Sequence, residues 1–131
     1  MIARADLRRI ARMRLRDAEV LFKGRRYDGA VYVCGYAVEL TLKARICTTL
    51  RWAGFPSTGG EFKNYGSFKI HDFEVLLRLG GREAVVRSSH VTDWSVVRTW
   101  EPESRYHLPG ANTRRTADMM IESTRRLMRV L

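Results

Sequence analysis

The residues best suited to proton transfer are the three histidines of the chain, His71, His90 and His107. Arg105 lies two positions before His107, so a guanidinium that could stabilise a phosphate is close in sequence to an imidazole that could move a proton. His107 is therefore the first candidate for an acid–base residue, although its Pro- and Gly-containing segment is also typical of a surface loop. His71 fits a residue at a helix start, and His90 is interpreted as structural or exposed.

A second group of polar residues lies within an apolar segment that is predicted to be helical from Asp28 to about Trp52. On a helical wheel the four residues fall within about 60° of one another: Tyr32, Tyr36, Glu39 and Lys43. This polar seam is either a solvated strip beside the core or the lining of a cleft or subunit interface, where buried charges must be paired. In the second case Arg14, which lies on the apolar arc of the first helix, or Arg105 could reach Glu39.

The elements that position these residues are predicted to be helices. Helical periodicity covers residues 5–23, 28–52, 73–79, 83–98 and 113–131, and no strand alternation is long enough to indicate a sheet. Asp28 and Asp72 are expected N-caps, while 53–68 and 101–112 are expected loops. The predicted fold is a single all-α domain spanning 1–131, an antiparallel up-and-down bundle of four or five helices.

Composition narrows the function classes. The chain has 24 Lys+Arg and 14 Asp+Glu, a net charge of +10, which favours RNA, DNA or an acidic protein as a partner but is also compatible with a basic domain of no such role. Cys34 and Cys47 would lie about 20 Å apart on one helix, so they indicate free thiols in a reducing compartment. With no membrane span or signal peptide evident, a cytoplasmic location is expected. No zinc-ligand cluster, phosphate loop or nucleophile elbow is present, so neither a metal nor a cofactor is expected.

The run RRYDGAVYVCGYAVELTLKARI, residues 25–46, closely resembles the second helix of HEPN domains, which are small helical proteins of bacteria and archaea. The similarity continues through His71-Asp72, Trp94 and Arg105-Tyr106. Within and beside the run the positions that match the family pattern are Gly24, Tyr27, Ala30, Tyr32, Gly35, Tyr36, Ala37, Glu39, Leu42, Lys43 and Ala44.

This resemblance implies a four- to five-helix bundle that forms a homodimer along its first two helices and is often encoded beside a nucleotidyltransferase, as the toxin or partner of a toxin–antitoxin or defence pair. Catalytic members are metal-independent ribonucleases that carry an Arg, four to six residues, and then a His. No arginine lies five to seven positions before any histidine of this chain, and Arg105-Tyr106-His107 is the nearest arrangement.

Two functions are therefore expected as alternatives, with a third that requires only the charge. The first is a homodimer that binds a nucleotide, RNA or a nucleotidyltransferase in a cleft lined by Arg14, Tyr32, Tyr36, Glu39, Lys43, His71 and Tyr106. The second is a ribonuclease toxin that uses Arg105 and His107. The third is general nucleic-acid binding by the arginine faces of the first and last helices.

Overall fold

The computed structural model describes all residues, 1–131, and confirms an all-α bundle. It has six α-helices: α1 (Arg4–Lys23), α2 (Tyr27–Thr49), α3 (Phe73–Leu79), α4 (Glu83–Ser89), α5 (Val91–Val97) and α6 (Arg114–Leu127). Three short 3₁₀ helices span Glu61–Asn64, Gly66–Phe68 and Pro102–Tyr106. None of the helices combines the length and the apolar character needed to cross a membrane.

Some predicted helix boundaries were wrong. The helix expected over 83–98 is divided into α4 and α5, because His90 has a non-helical backbone (φ −133°, ψ 25°). α2 ends at Thr49, before the left-handed Arg51, and α6 ends at Leu127. Periodicity located these segments correctly but did not locate breaks of one residue, which depend on local backbone geometry.

α2 is the central helix of the bundle. It packs against α1, α3 and α6, and apolar residues on most of its circumference are buried, including Cys34, Val38, Leu42 and Ile46. A helix that is apolar nearly all round is expected to lie in the core, with its neighbours covering it. The polar seam of α2 is therefore held against other elements and is not free in solvent.

A two-stranded antiparallel sheet, absent from the sequence prediction, closes one end of the α1–α2 hairpin. β1 (Ile2–Ala3) pairs with β2 (Gly54–Phe55), with Ile2 opposite Phe55. Gly54 is required there, because a Cβ at this position would lie 2.5 Å from the carbonyl oxygen of Ile2. Strands of two residues are too short to produce an alternation that a sequence pattern could reveal.

Asp28 is not the N-cap of α2, as the sequence suggested, because the cap position is Arg26. The Asp28 carboxylate instead accepts hydrogen bonds from the backbone N–H groups of Gly110 and Asn112, at 2.7 and 2.8 Å. These bonds lower the pKa of Asp28 and tie the loop before α6 to the start of α2. Asp72 is confirmed as the N-cap of α3, since its side chain accepts from the N–H groups of Glu74 and Val75.

The two cysteines are free and buried. Burial raises the pKa of Cys34 to about 12, and its thiol donates to the Thr124 hydroxyl across the interface between α2 and α6. Burial also raises the pKa of Cys47. Both thiols therefore act as small core residues, and neither is an activated nucleophile.

Candidate functional site

Glu39 is the buried centre of the polar seam. Its side chain is only 5% exposed, and its two carboxylate oxygens have separate partners. The Lys43 ammonium donates to one oxygen at 2.6 Å, and the ring nitrogen Nδ1 of His71 lies 2.9 Å from the other. Lys43 is itself 14% exposed, so this pair is screened from water far more than a surface pair.

His71 connects this buried pair to the surface. Because an ionised carboxylate can only accept hydrogen bonds, Nδ1 carries the proton and Nε2 has no partner within the chain. The side chain is 52% exposed and lines a groove of about 430 Å³. A carboxylate that holds one imidazole nitrogen while the other faces no partner is an arrangement that can support acid–base chemistry.

The two tyrosines of the seam form an aromatic cluster beside this pair. The Tyr32 and Tyr36 hydroxyls lie 3.2 Å apart, and the rings meet edge to face. Burial, together with the hydrogen bond to Tyr32, raises the pKa of Tyr36 to about 12, and the nearby charge of Arg105 partly opposes the shift. The Tyr36 phenol is therefore neutral at physiological pH and acts as a hydrogen-bonding group.

Trp100 packs on α2 where the helix has no side chain. An added Cβ on Gly35 would lie 2.0 Å from a Trp100 ring atom, so the indole occupies the space above this glycine. The ring also stacks on Phe73 at 5.4 Å and meets Tyr36 edge to face at 4.9 Å. Trp100 thus links α2, α3 and the segment that precedes the third 3₁₀ helix.

Arg105 lies in that 3₁₀ helix, Pro102–Tyr106, which packs against α2. One guanidinium nitrogen donates to the carbonyl oxygen of Pro102 at 2.9 Å, and the guanidinium lies 4.6 Å from the centre of the Tyr106 ring. Tyr106 is 76% exposed. The side chains of this Arg-Tyr pair are therefore presented at the surface, close enough to Tyr32 and Tyr36 for charges to interact.

His107 does not join the group around Glu39. Its side chain forms no hydrogen bond, and it lines a groove of about 520 Å³ that is bordered by α5 and α6. This groove adjoins the His71 groove at Thr99, Trp100 and Glu101. No hydrogen bond joins Arg105 to His107. Arg105 and His107 therefore do not form a catalytic pair here. His71 is the histidine that is hydrogen-bonded to a carboxylate, whereas His90 lies 3.7 Å from the Asp93 carboxylate, beyond hydrogen-bond distance.

Neither Arg14 nor Arg105, the two arginines expected to pair with Glu39, reaches its carboxylate. Arg14 is exposed on α1 although its position falls within the apolar arc of the helical wheel, and its side chain pairs with Asp17, three positions later. Arg105 is engaged with Pro102 and Tyr106. The contact between Glu39 and His71 was missed, since 32 residues separate the two and only the packing of α3 on α2 brings them together.

Comparison with known proteins gives one result for this chain. Residues 5–58 match the family model described as HEPN domain, a segment that covers nearly all of α1, the whole of α2, and β2. The match confirms the resemblance that the α2 pattern indicated. No curated protein and no solved structure matches the chain.

Proposed function

With residues 5–58 identified as HEPN domain sequence, we propose that the chain is a homodimeric module that binds RNA or a nucleotide through the groove beside His71 and Arg105. The family match supports a nucleotide- or RNA-related module in general. A nucleotidyltransferase partner, in a toxin–antitoxin or defence pair, is the setting that the resemblance predicts and is part of the proposal.

The observation that carries this proposal is the fixed orientation of His71 by the buried Glu39. A surface histidine that served only solubility would not need a buried carboxylate with its own lysine counter-ion. The groove lined by His71 also includes Pro102 and Glu103 of the 3₁₀ helix that carries Arg105. An imidazole that can donate or accept and a guanidinium that can bind phosphate therefore belong to one region.

The charges around the groove indicate how RNA would lie. Four carboxylates line the groove and repel phosphate, and the one arginine that lines it, Arg98, is paired with Glu74. We expect the phosphates to lie at Arg105 and the ribose or base to lie toward His71, where a hydroxyl can bond to Nε2. The net charge of +10 would attract the polyanion from a distance, with steep salt dependence.

The homodimer is supported by apolar side chains left uncovered on α1. Val20 is 69% exposed and Met13 is 46% exposed, and because they are seven positions apart they share one face of the helix. The partly buried Ile10 continues this face by one turn. A second copy that packs along this stripe would cover it, in agreement with the dimer that the resemblance implies.

A ribonuclease is the alternative function, and the Glu39–His71 contact is the observation that favours it. His71 could accept the proton of a ribose 2′-hydroxyl, and Arg105 could stabilise the charge that develops on the phosphate. The pairing of Arg105 with His107 that the sequence suggested would require His107 to act without a hydrogen-bond partner that orients its ring. The structure therefore supports His71 over His107 in such a role.

Binding to a labelled single-stranded RNA of about 12 nucleotides tests the proposal, by fluorescence anisotropy at fixed salt. We expect Arg105→Gln to weaken affinity about tenfold, the value of one charge-assisted hydrogen bond, and His71→Gln to weaken it by a smaller factor. Arg115→Gln is the matched control, since Arg115 is exposed on α6 and forms no ion pair. Equal RNA affinities for Arg105→Gln, His71→Gln and the control would refute the proposal that RNA binds in this groove.

The same RNA, incubated in the presence of a metal chelator, separates binding from cleavage. Cleavage that is lost in His71→Gln but kept in His107→Gln would assign the proton transfer to His71. Loss in His107→Gln alone would restore the Arg105–His107 pair. A wild-type protein that binds the RNA but leaves it intact would identify a binding module.

A further inference from the structure

Another groove lies at the end of the α1–α2 hairpin that is opposite to the loop joining the two helices. It has a volume of about 520 Å³ and is lined by the start of α1 and the residues after α2, with Arg4, Arg51 and Trp52 among them. The β1–β2 pairing brings these distant segments together, and the Arg4 N–H donates to the carbonyl oxygen of Ala53 at 3.2 Å. No residue of the groove near His71 belongs to it.

The two arginines of this groove have no acidic partner. Neither Arg4 nor Arg51 forms a salt bridge or a side-chain hydrogen bond, and both are exposed. Arg125 and Arg126, by contrast, are held by carboxylates of neighbouring elements. Two free guanidinium groups beside one groove provide donors for a phosphate.

Arg51 adopts a backbone conformation that disfavours an arginine. Its φ of 57° is left-handed, and it follows the end of α2, where the Trp52 N–H donates to the carbonyl oxygen of Cys47. Glycine is the residue that usually occupies such a position, because any Cβ is strained there. Replacing Arg51 with glycine therefore removes the guanidinium without adding backbone strain.

An aromatic surface adjoins the two arginines. The partly buried Trp52 ring lines the groove and packs edge to face on Phe68 at 4.9 Å and on Tyr65 at 5.3 Å. Lys63 and Lys69 are exposed in the same loop and form no ion pair. Aromatic rings interleaved with free cations are the combination that binds single-stranded nucleic acid without sequence readout.

We propose that this groove is a second RNA subsite, in which Arg4 and Arg51 bind a backbone phosphate and Trp52 stacks on the adjoining base. The proposal rests on RNA binding as the proposed function, but its residues are separate from the His71–Arg105 groove. One strand that contacts both grooves would be held at two points, and a bound strand would gain affinity without any new contact at the first groove.

Arg51→Gly tests this subsite, and Arg25→Gly is a closely matched control. Arg25 also follows a helix end, also has a left-handed backbone (φ 59°), and also lacks an ion pair. It lies at the other end of the hairpin, about 30 Å away along α1. Each substitution removes one positive charge and relieves the same backbone strain, so both variants should melt at the wild-type temperature or above it.

We expect Arg51→Gly to weaken binding of the labelled RNA about tenfold and to reduce the slope of log affinity against log salt by about 0.7. Arg25→Gly should change both values little. Trp52→Leu should also weaken binding, and Trp52→Phe should recover part of the loss because it keeps an aromatic face. RNA should quench the tryptophan fluorescence, since Trp94 and Trp100 are buried.

The outcomes distinguish the two proposals. Suppose that the wild-type protein binds RNA and that Arg105→Gln weakens this binding, whereas Arg51→Gly has the same affinity as Arg25→Gly. The proposal of a second subsite is then wrong, and the proposal of RNA binding in the first groove is kept. If Arg51→Gly weakens RNA binding and the variants at Arg105 and His71 do not, the proposal of a second subsite is kept and the proposal of RNA binding in the first groove is wrong. A wild-type protein that binds no RNA overturns both.

Discussion

Gly35→Ala is expected to lower the free energy of unfolding by about 3 kcal/mol, the upper part of the usual range for overpacking a core. The added methyl group would lie 2.0 Å from the Trp100 ring, and the ring is confined on its other sides by Phe73 and Tyr36. Replacing an exposed helical glycine with alanine usually stabilises a protein. The sign of the change in the free energy of unfolding therefore shows whether Gly35 is covered by Trp100. Chemical denaturation with a far-UV circular dichroism readout measures it.

Gly29→Ala is the matched control in the same helix. A methyl group at Gly29 would meet only the Leu21 side chain, at 3.6 Å, which is ordinary van der Waals contact. This variant should be as stable as the wild type or more stable by up to about 1 kcal/mol. If Gly35→Ala were as stable as Gly29→Ala, Trp100 would not be packed on α2, and the arrangement of Tyr32 and Tyr36 beside it would be wrong.

Glu39→Gln is expected to lower the free energy of unfolding by about 2 kcal/mol. Breaking a buried ion pair costs about 3–5 kcal/mol, and the partial exposure of Lys43 reduces that value. The variant leaves the Lys43 ammonium without its carboxylate, and the single acceptor oxygen of an amide cannot bond Lys43 and His71 as the two oxygens of Glu39 do. RNA binding should therefore weaken as well. The double variant Glu39→Gln with Lys43→Met should lose less stability than the single one, because no uncompensated charge is left.

Asp17→Asn provides the reference for an exposed pair. Asp17 pairs with Arg14 on the surface of α1, where such contacts contribute between about 0 and 1 kcal/mol. Unfolding of the three variants is compared under one set of conditions. A Glu39→Gln protein as stable as Asp17→Asn, with unchanged RNA affinity, would show that the seam neither supports the fold nor positions His71.

The sequence was sufficient to predict the elements but not all of their contacts. Repeats of apolar residues identified α1, α2, α3 and α6, because burial of one helix face imposes a period of 3.6 residues on the chain. The seam on α2 was visible for the same reason: four polar residues share an arc. The small β1–β2 sheet was missed, since two-residue strands carry no periodic signal.

Contacts between residues that are distant in sequence could not be predicted, for a different reason. The contact between Glu39 and His71 depends on how α3 is placed against α2. The fit of Trp100 over Gly35 depends on the tertiary packing of the segment that carries Trp100. Gly35 within a helical pattern was the available signal, because a glycine that costs helix stability often marks a close approach. Arg14 was assigned to the cleft from its wheel position alone, and that position proved to be exposed.

Sedimentation equilibrium most directly tests the claim that two copies meet along α1. The wild-type protein should have twice the chain mass of 15.2 kDa. Val20→Glu, which places a charge in the exposed apolar stripe, should shift the mass to that of one chain, whereas Val91→Glu, at an equally exposed site on α5, should not. A wild-type protein that sediments as a single chain over the whole concentration range would contradict the homodimer.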